Sequence, residues 1–406
     1  MVSIERDKFL KEGYLIVKGV IPYNRLEFVK KAYESLVDRQ RKIWKEQRKD
    51  GDPSGGEWET SPQPRLLLQR PPLGRQIGPE EAPAVNVWLE EKIRGISIEL
   101  LKEPRAAVTE MMMMCSPVRD YGPAPWHRDI HPIDTAPLQG YIDDIIEGGP
   151  RYIQWNIPLY DDSVLWVVPG SHLRTNTVEE NVSLLNDPRR PLPGGVQTFL
   201  EAGDGVVYIT PILHWGSNYS SKFRRTIHGG FSAYHCFPDL SFIEHLDSES
   251  KHVFDHWNRQ SDDMKAHTES ALRAVIDANG AAYNKALERL HPKRGEKGKL
   301  LTTVFLSKAA LSIRLGKDPP YPSISEDLLN CVRNPHYTTL NWGPEFSNRF
   351  SKSEAELLWH RFKPLDTLLQ TDKEQFQPGF QSGPMKYYFN DMPSNYTTTK
   401  FIASWS

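Results

Sequence analysis

The chain has 406 residues, enough for one large core or two domains, and its 50 Lys and Arg against 52 Asp and Glu leave a formal net charge of -2. So even a balance provides no field to gather nucleic acid or an anionic membrane surface, and neither is expected as a partner. Cys115, Cys236 and Cys331 lie far apart and make neither a disulfide framework nor a Cys-x-x-Cys zinc site. No apolar run approaches the length that spans a bilayer, and the opening Met-Val-Ser-Ile-Glu-Arg-Asp-Lys lacks the apolar core of a signal peptide. A soluble, cytoplasmic globular protein is the expectation.

Residues 14–20, Tyr-Leu-Ile-Val-Lys-Gly-Val, read as a short strand closed by Gly19 and Pro22. Leu26, Val29, Tyr33, Leu36, Ile43 and Trp44 then recur at helical spacing with charges between them, which predicts an amphipathic helix. Residues 48–83 are dense in Pro, Gly and charge and read as a loop, a candidate flap. A second helix carries Leu89, Ile93, Ile96 and Leu100 on one face. Residues 108–115, with four consecutive Met, predict a buried strand. The Met run is read as adaptable core filling rather than as a soft-metal or peptide-binding surface.

Further strands are expected at 151–159, 164–168, 196–200, 205–213 and 225–234, with the tight turn Pro169-Gly170-Ser171-His172 and an irregular Pro- and Asn-rich excursion between them. Short, turn-bounded strands at this density point to a β-sandwich or barrel rather than a βαβ sheet. From about Asp239 the texture changes. Residues 249–285 read as helix, 286–300 as a basic loop, and the remainder as mixed, with Trp342, Phe346, Trp359 and Phe362 available to pack. There are no internal repeats.

Trp126-His127-Arg128-Asp129 is the stretch that carries chemistry. On a strand, residues i and i+2 project from one face, so His127 and Asp129 would aim at one point. One imidazole and one carboxylate are two thirds of the facial triad that holds non-haem Fe(II) with open positions. The candidate third ligand is His214, which closes a strand after the turn Gly203-Asp204-Gly205. His-x-Asp alone is a weak signal: a second copy, His245-Leu246-Asp247, sits in an acidic run and reads as a solvated turn or helix start. His252 and His256 are one helical turn apart but lack the Glu of a His-Glu-x-x-His helix. His131 and His172 read as supporting or structural. Downstream of His214, Arg224-Arg225 open the next strand, where a guanidinium can grip the far carboxylate of 2-oxoglutarate bidentately. The keto-acid end would then chelate iron and leave one position for O2. Taken singly, a His after a strand is commonly a hydrogen-bonded core residue and an Arg pair at a strand end a solvated one. The ordered set is what carries the signal.

The order Trp-His-Arg-Asp, Pro-Leu-Tyr-Asp-Asp, Val-Pro-Gly-Ser-His, Gly-Asp-Gly-Val-Val-Tyr and His-Trp-Gly-Ser-Asn-Tyr-Ser-Ser-Lys-Phe-Arg-Arg, behind the opening Phe-Leu-Lys-Glu-Gly-Tyr-Leu-Ile-Val-Lys-Gly-Val-Ile, resembles the phytanoyl-CoA dioxygenase family over residues 7–235. Residues 240–406 match nothing in that family's common core. The resemblance implies a mainly β core with α: a double-stranded β-helix (jelly-roll, cupin-like barrel) at about 105–240, flanked by N-terminal helices within a domain 1–240. A mostly helical C-terminal extension, 241–406, is expected to cover the barrel mouth or form an oligomer interface. It implies Fe(II) on His127, Asp129 and His214. The family places its cosubstrate arginine six residues after an Asn in an Asn-x-Ser pattern, so Asn218 and Ser220 select Arg224. His214 to Asn218 is one residue shorter than usual, which keeps Arg225, and the choice between Ser217 and Ser220, open. Gln154 and Asn156 are further candidate contacts to 2-oxoglutarate.

The implied activity is a Fe(II)- and 2-oxoglutarate-dependent dioxygenase that hydroxylates an unactivated C–H of a small-molecule substrate with O2, releasing succinate and CO2. Asp129 stands where a halogenase would need a small residue. The alternatives are a cupin-like metal enzyme that does not use 2-oxoglutarate and a non-catalytic small-molecule-binding barrel. Tyr121, Trp126, Trp155, Trp166 and Trp215 are candidates for pocket lining or for core, and the basic run 291–299 for a phosphate patch or a solvated loop. Neither the substrate nor the oligomeric state follows from the sequence.

Overall fold

A computed structural model describes residues 5–47, 58–217, 219–237, 239–317, 339–375 and 386–405. Among the described residues nine strands form: β1 (Tyr14–Val17), β2 (Arg65–Leu67), β3 (Ala107–Cys115), β4 (Tyr152–Pro158), β5 (Trp166–Val167), β6 (Val196–Gln197), β7 (Gly205–Ile209), β8 (His214–Trp215) and β9 (Arg225–Ser232). They make a six-stranded sheet in the order β1-β7-β4-β9-β3-β2 and a three-stranded sheet in the order β6-β5-β8. All their pairings are antiparallel, and most join strands far apart in sequence. Two antiparallel sheets with these crossing connections are the jelly roll expected from the sequence.

β4 and β9 are buried along their whole length, because one face of each lies inside the barrel and the other is covered. Trp155, on the covered face, donates its indole N–H to Ser97 at 3.0 Å. β9 approaches β4 so closely that a Cβ on Gly230 would sit 2.3 Å from the Ile153 carbonyl oxygen. The Met run lies in β3, with Met111, Met112 and Met113 buried, paired with β9 on one side and β2 on the other. It is core.

The helices are α1 (Arg6–Glu12), α2 (Tyr23–Gln47), α3 (Ala82–Asn86), α4 (Ile96–Leu101), α5 (Leu138–Gly148), α6 (Val178–Asn186), α7 (Ser248–Ile276), α8 (Gly280–Leu290) and α9 (Glu296–Leu315), followed by Pro344–Ser347, Lys352–Leu368 and Thr398–Ala403. Four expectations need correction. The reading of 48–83 as loop is interrupted by β2 and by two 3-10 turns, with turns and bends between them, and the segment is packed rather than free, since Trp58, Leu66, Leu68 and Leu73 are buried; residues 48–57 lie outside the described residues. The second predicted helix has the expected buried face at Ile93, Ile96 and Leu100, but it is broken into a 3-10 turn, a π-helical turn and α4. α5 forms where no element was expected, and α6 occupies the excursion read as irregular, started by a capping box between Thr177 and Glu180. The basic run is not a loop throughout, since α9 begins at Glu296. Three of its cations are paired: Arg294 with Asp144, Lys297 with Asp143 and Lys299 with Glu288.

Two compact units result. One consists of Met1–Arg128, Tyr152–His172 and Asn176–Asn258 and holds both sheets. The other consists of Asp129–Arg151, Leu173–Thr175 and Arg259–Ser406, and is helical. Its centre is α9, which is buried almost all round, as a helix with apolar residues on every side requires. α5 docks there through Arg151, which donates to Asp144 at 2.7 Å, to the Gly298 carbonyl at 2.7 Å and to Thr302 at 3.0 Å. Among the described residues no helix is long and apolar enough to cross a membrane.

Candidate metal centre

His127 and His214 face each other across an isolated antiparallel bridge. The His127 amide donates to the His214 carbonyl at 2.9 Å, and the His214 amide returns the bond at 3.0 Å. Their ring centroids are 4.4 Å apart. His214 opens β8, but His127 and Asp129 stand on no regular strand: Asp129 is at a bend just past the bridge. The strand-face argument for that pair is therefore replaced by a turn. One ligand atom from each of His127, Asp129 and His214 lies within 4.8 Å of the others, the only such cluster among the described residues.

The proton positions suit a metal. His127 Nδ1 is 2.9 Å from the Pro125 carbonyl and His214 Nδ1 is 3.0 Å from the Ile212 carbonyl. A carbonyl only accepts, so both Nδ1 atoms carry a hydrogen, and Nε2 is the nitrogen of each ring that would ligate a metal. Backbone anchoring of the second nitrogen is the usual support for a ligating histidine. Two imidazoles and one carboxylate fit a hexacoordinate ion with three positions left over, and are one ligand short of a closed structural zinc site.

On the barrel-facing side, the register puts Asn156 opposite His228 and Pro158 opposite Thr226. The polar groups there bond to one another: Gln154 donates to Tyr208 Oη at 2.7 Å and lies 3.1 Å from His228 Nε2, while His228 Nδ1 is 2.5 Å from Asn156 Oδ1. The Tyr208 ring is 5.3 Å from that of His214, which puts this chain beside a ligand. Arg224 shares the face. Its Nε donates to Asp162 at 3.0 Å and to Thr226 at 3.1 Å, which leaves the two-nitrogen end of the fork outside these bonds. Burial raises the pKa of Asp162, but the Arg224 charge and bonds from Thr226 and the Val164 amide outweigh it and hold the group below the ordinary carboxylate range. Arg225 points elsewhere, to Glu34 on α2 at 3.0 Å and over the Phe223 ring. Ser220 is exposed and Ser217 buried; Asn218 lies outside the described residues.

With this geometry in place, the sequence profile of the family described as phytanoyl-CoA dioxygenase (PhyH) matches residues 9–227, a span that contains both histidines, Asp129 and Arg224. The chain belongs to the phytanoyl-CoA dioxygenase family. Among solved structures it is similar to AviO1 from Streptomyces viridochromogenes Tue57 (20% identity, 56% of this chain and 92% of that one, TM-score 0.39). It is also similar to the non-heme alpha ketoglutarate dependent epimerase SnoN from nogalamycin biosynthesis (16%, 56% and 80%, TM-score 0.37). A third is EctD from S. alaskensis with 2-oxoglutarate and 5-hydroxyectoine (14%, 57% and 76%, TM-score 0.38). No curated protein matches the chain.

His172, His245, His252 and His256 lie outside the cluster. Asp247 caps the start of α7 through Ser250, and His245, His252 and His256 are exposed. His172 is buried and donates Nε2–H to the Leu10 carbonyl at 2.8 Å. Of the aromatic candidates, Trp126 and Trp215 stack at 5.1 Å and Trp166 meets Trp215 edge-on at 6.1 Å, directly beside the two ligands in sequence. Trp155 faces Ser97, and Tyr121 is exposed and bonded to the Thr60 carbonyl. The sequence reading missed Asp162 and Arg128. The Asp in Pro-Leu-Tyr-Asp-Asp was a visible signal for the first; Arg128 had only its place between two ligands.

Proposed function

We propose that this protein is an Fe(II)- and 2-oxoglutarate-dependent dioxygenase that hydroxylates an unactivated C–H of a small molecule and releases succinate and CO2. The observation that carries the reading is the convergence of His127, Asp129 and His214, with both Nδ1 atoms already committed to carbonyls. Bound there, Fe(II) supplies activation of O2 coupled to decarboxylation of the cosubstrate. The chain's own part is to hold that ion with two neutral imidazoles and one negative charge. Arg224, set in place by Asp162 and Thr226, offers two parallel N–H groups to the distal carboxylate. Gln154 and Asn156 line the same face and offer amide contacts to the keto acid. The stacked Trp126 and Trp215, the chain neighbours of His127 and His214, brace the bridge that pairs the two histidines. Ser220 stays in the proposal only as an exposed contact brought in on binding. The catalytic domain is taken as residues 1–240, with 241–406 as a helical addition.

Asp162 favours one rival, a metal enzyme of the same barrel that does not use 2-oxoglutarate, because its carboxylate already offsets the Arg224 charge. Anaerobic reconstitution with Fe(II), followed by titration of 2-oxoglutarate, separates the two. The expected result is a weak visible charge-transfer band that vanishes in His127→Ala and needs more 2-oxoglutarate in Arg224→Ala. Iron binding with no band would hand the assignment to the rival.

A further inference from the structure

We propose that Arg128 is a positioning residue for the metal centre: its guanidinium ties the ligand-bearing turn to the two segments that build the rest of the site. The inference rests on the metal reading above and adds a residue to it. Arg128 is 1% exposed. Nη1 donates to the Ser171 carbonyl at 2.7 Å and to the Pro211 carbonyl at 2.8 Å, while Nε and Nη2 share Asn176 Oδ1 at 3.1 and 2.8 Å. Burying a guanidinium is costly unless its donors are met, and these three neutral oxygens meet four of its N–H directions.

The bonds close a ring around the ligands. His127 is joined to His214 by two backbone bonds. Arg128, the next residue, reaches Pro211, three residues before His214, and Ser171. The Ser171 hydroxyl in turn accepts the Leu213 amide at 2.8 Å. The turn between His127 and Asp129 is thus fixed to the segment that presents His214 by a side chain with a rigid fork. Lysine has one nitrogen on a flexible stem and cannot hold these acceptors in their separate directions. A residue with a purely packing role would have no need of this fork.

The test uses the full-length protein stripped of metal and titrated with Co(II), read by affinity and by the d–d absorption bands, which report ligand geometry. Thermal unfolding of the metal-free protein serves as the folding control. Arg128→Lys should melt near wild type yet bind Co(II) about 10- to 100-fold more weakly, the loss typical of an outer partner of a metal ligand, with altered band positions. Asn176→Ala keeps the arginine but removes the shared acceptor, and should show a smaller loss in the same direction. Either variant folding normally with wild-type affinity and bands would overturn the proposal. Loss of the metal-free fold in both would also overturn it, assigning Arg128 to stability alone. Wild type that takes up no Co(II) removes the metal reading itself, whereas Co(II) binding without a 2-oxoglutarate band on Fe(II) removes only the cosubstrate and leaves the Arg128 result standing.

Discussion

The imidazole of His172 lies against the backbone of Gly13, and a Cβ built on Gly13 would sit 2.4 Å from His172 Nδ1. Gly13 also ends α1 at φ +83, a conformation that costs an L side chain about 1–2 kcal/mol. With overpacking added at about 1–3 kcal/mol, Gly13→Ala should destabilise by about 2–5 kcal/mol in urea unfolding. Adding His172→Ala should recover the packing part only. Equal effects of Gly13→Ala in both backgrounds would show that the two residues do not interact.

His172 also makes stability depend on pH. Burial pushes its pKa below the ordinary imidazole range; the Leu10 carbonyl and Glu12 oppose that shift and Arg128 adds to it. Nδ1 has no hydrogen-bond partner, so a second proton would be buried unpaired. The unfolded chain therefore binds this proton more readily than the folded one. The contribution is complete above the unfolded value of about 6.5 and is lost as pH falls through it toward the lower folded value. Urea midpoints between about pH 8 and pH 5.5 should fall more steeply in wild type than in His172→Gln, whatever the absolute stability of the variant. Parallel slopes would assign the pH dependence to other groups.

Asp162 and Arg224 are 8% and 11% exposed in their side chains, so each depends on the other. Asp162→Ala leaves a nearly buried guanidinium without its counter-charge and removes the acceptor of Thr226. A loss of about 3–5 kcal/mol is expected from chemical unfolding. A loss below about 1 kcal/mol would mean the pair behaves like a surface ion pair.

Lys308 and Asp366, 2% and 1% exposed and 2.7 Å apart, are the equivalent test in the helical unit. Burial lowers the Lys308 pKa in spite of Asp366. Removing one partner, as in Lys308→Met, should cost about 3–5 kcal/mol, whereas Lys308→Met with Asp366→Leu should cost far less. Tyr387 at 3.0 Å and Gln370 at 2.7 Å lose their acceptor in the double variant, which sets a floor on the cost. An additive double would refute the coupling.

Metal binding should stabilise the native protein alone, because the unfolded chain does not hold three separated ligands together. At 100 times the dissociation constant, Fe(II) under anaerobic conditions should add about 2.7 kcal/mol, and a chelator should remove it. Asp129→Ala should show neither change in thermal unfolding.

What was legible in the sequence follows from local periodicity and order. The burial of Met111–113 in β3, the alternation that puts Gln154 and Asn156 on one face of β4, and the sequence of His127, Asp129, His214 and Arg224 all rest on neighbours within a few residues or on motif order. The different directions of Arg224 and Arg225 do not. They are set by partners 62 and 191 residues away, Asp162 and Glu34, and no pattern local to the pair contains them. β2 exists as a strand because β3 pairs with it; its three residues carry too little period to be seen alone. α5 folds onto α9 through bonds such as Arg151 to Thr302, 151 residues apart, so a segment inside the barrel sequence belongs to the helical unit. The side chains that can hold a metal were written in the chain, while the partners that set their direction came from contacts that form only when distant segments are buried together.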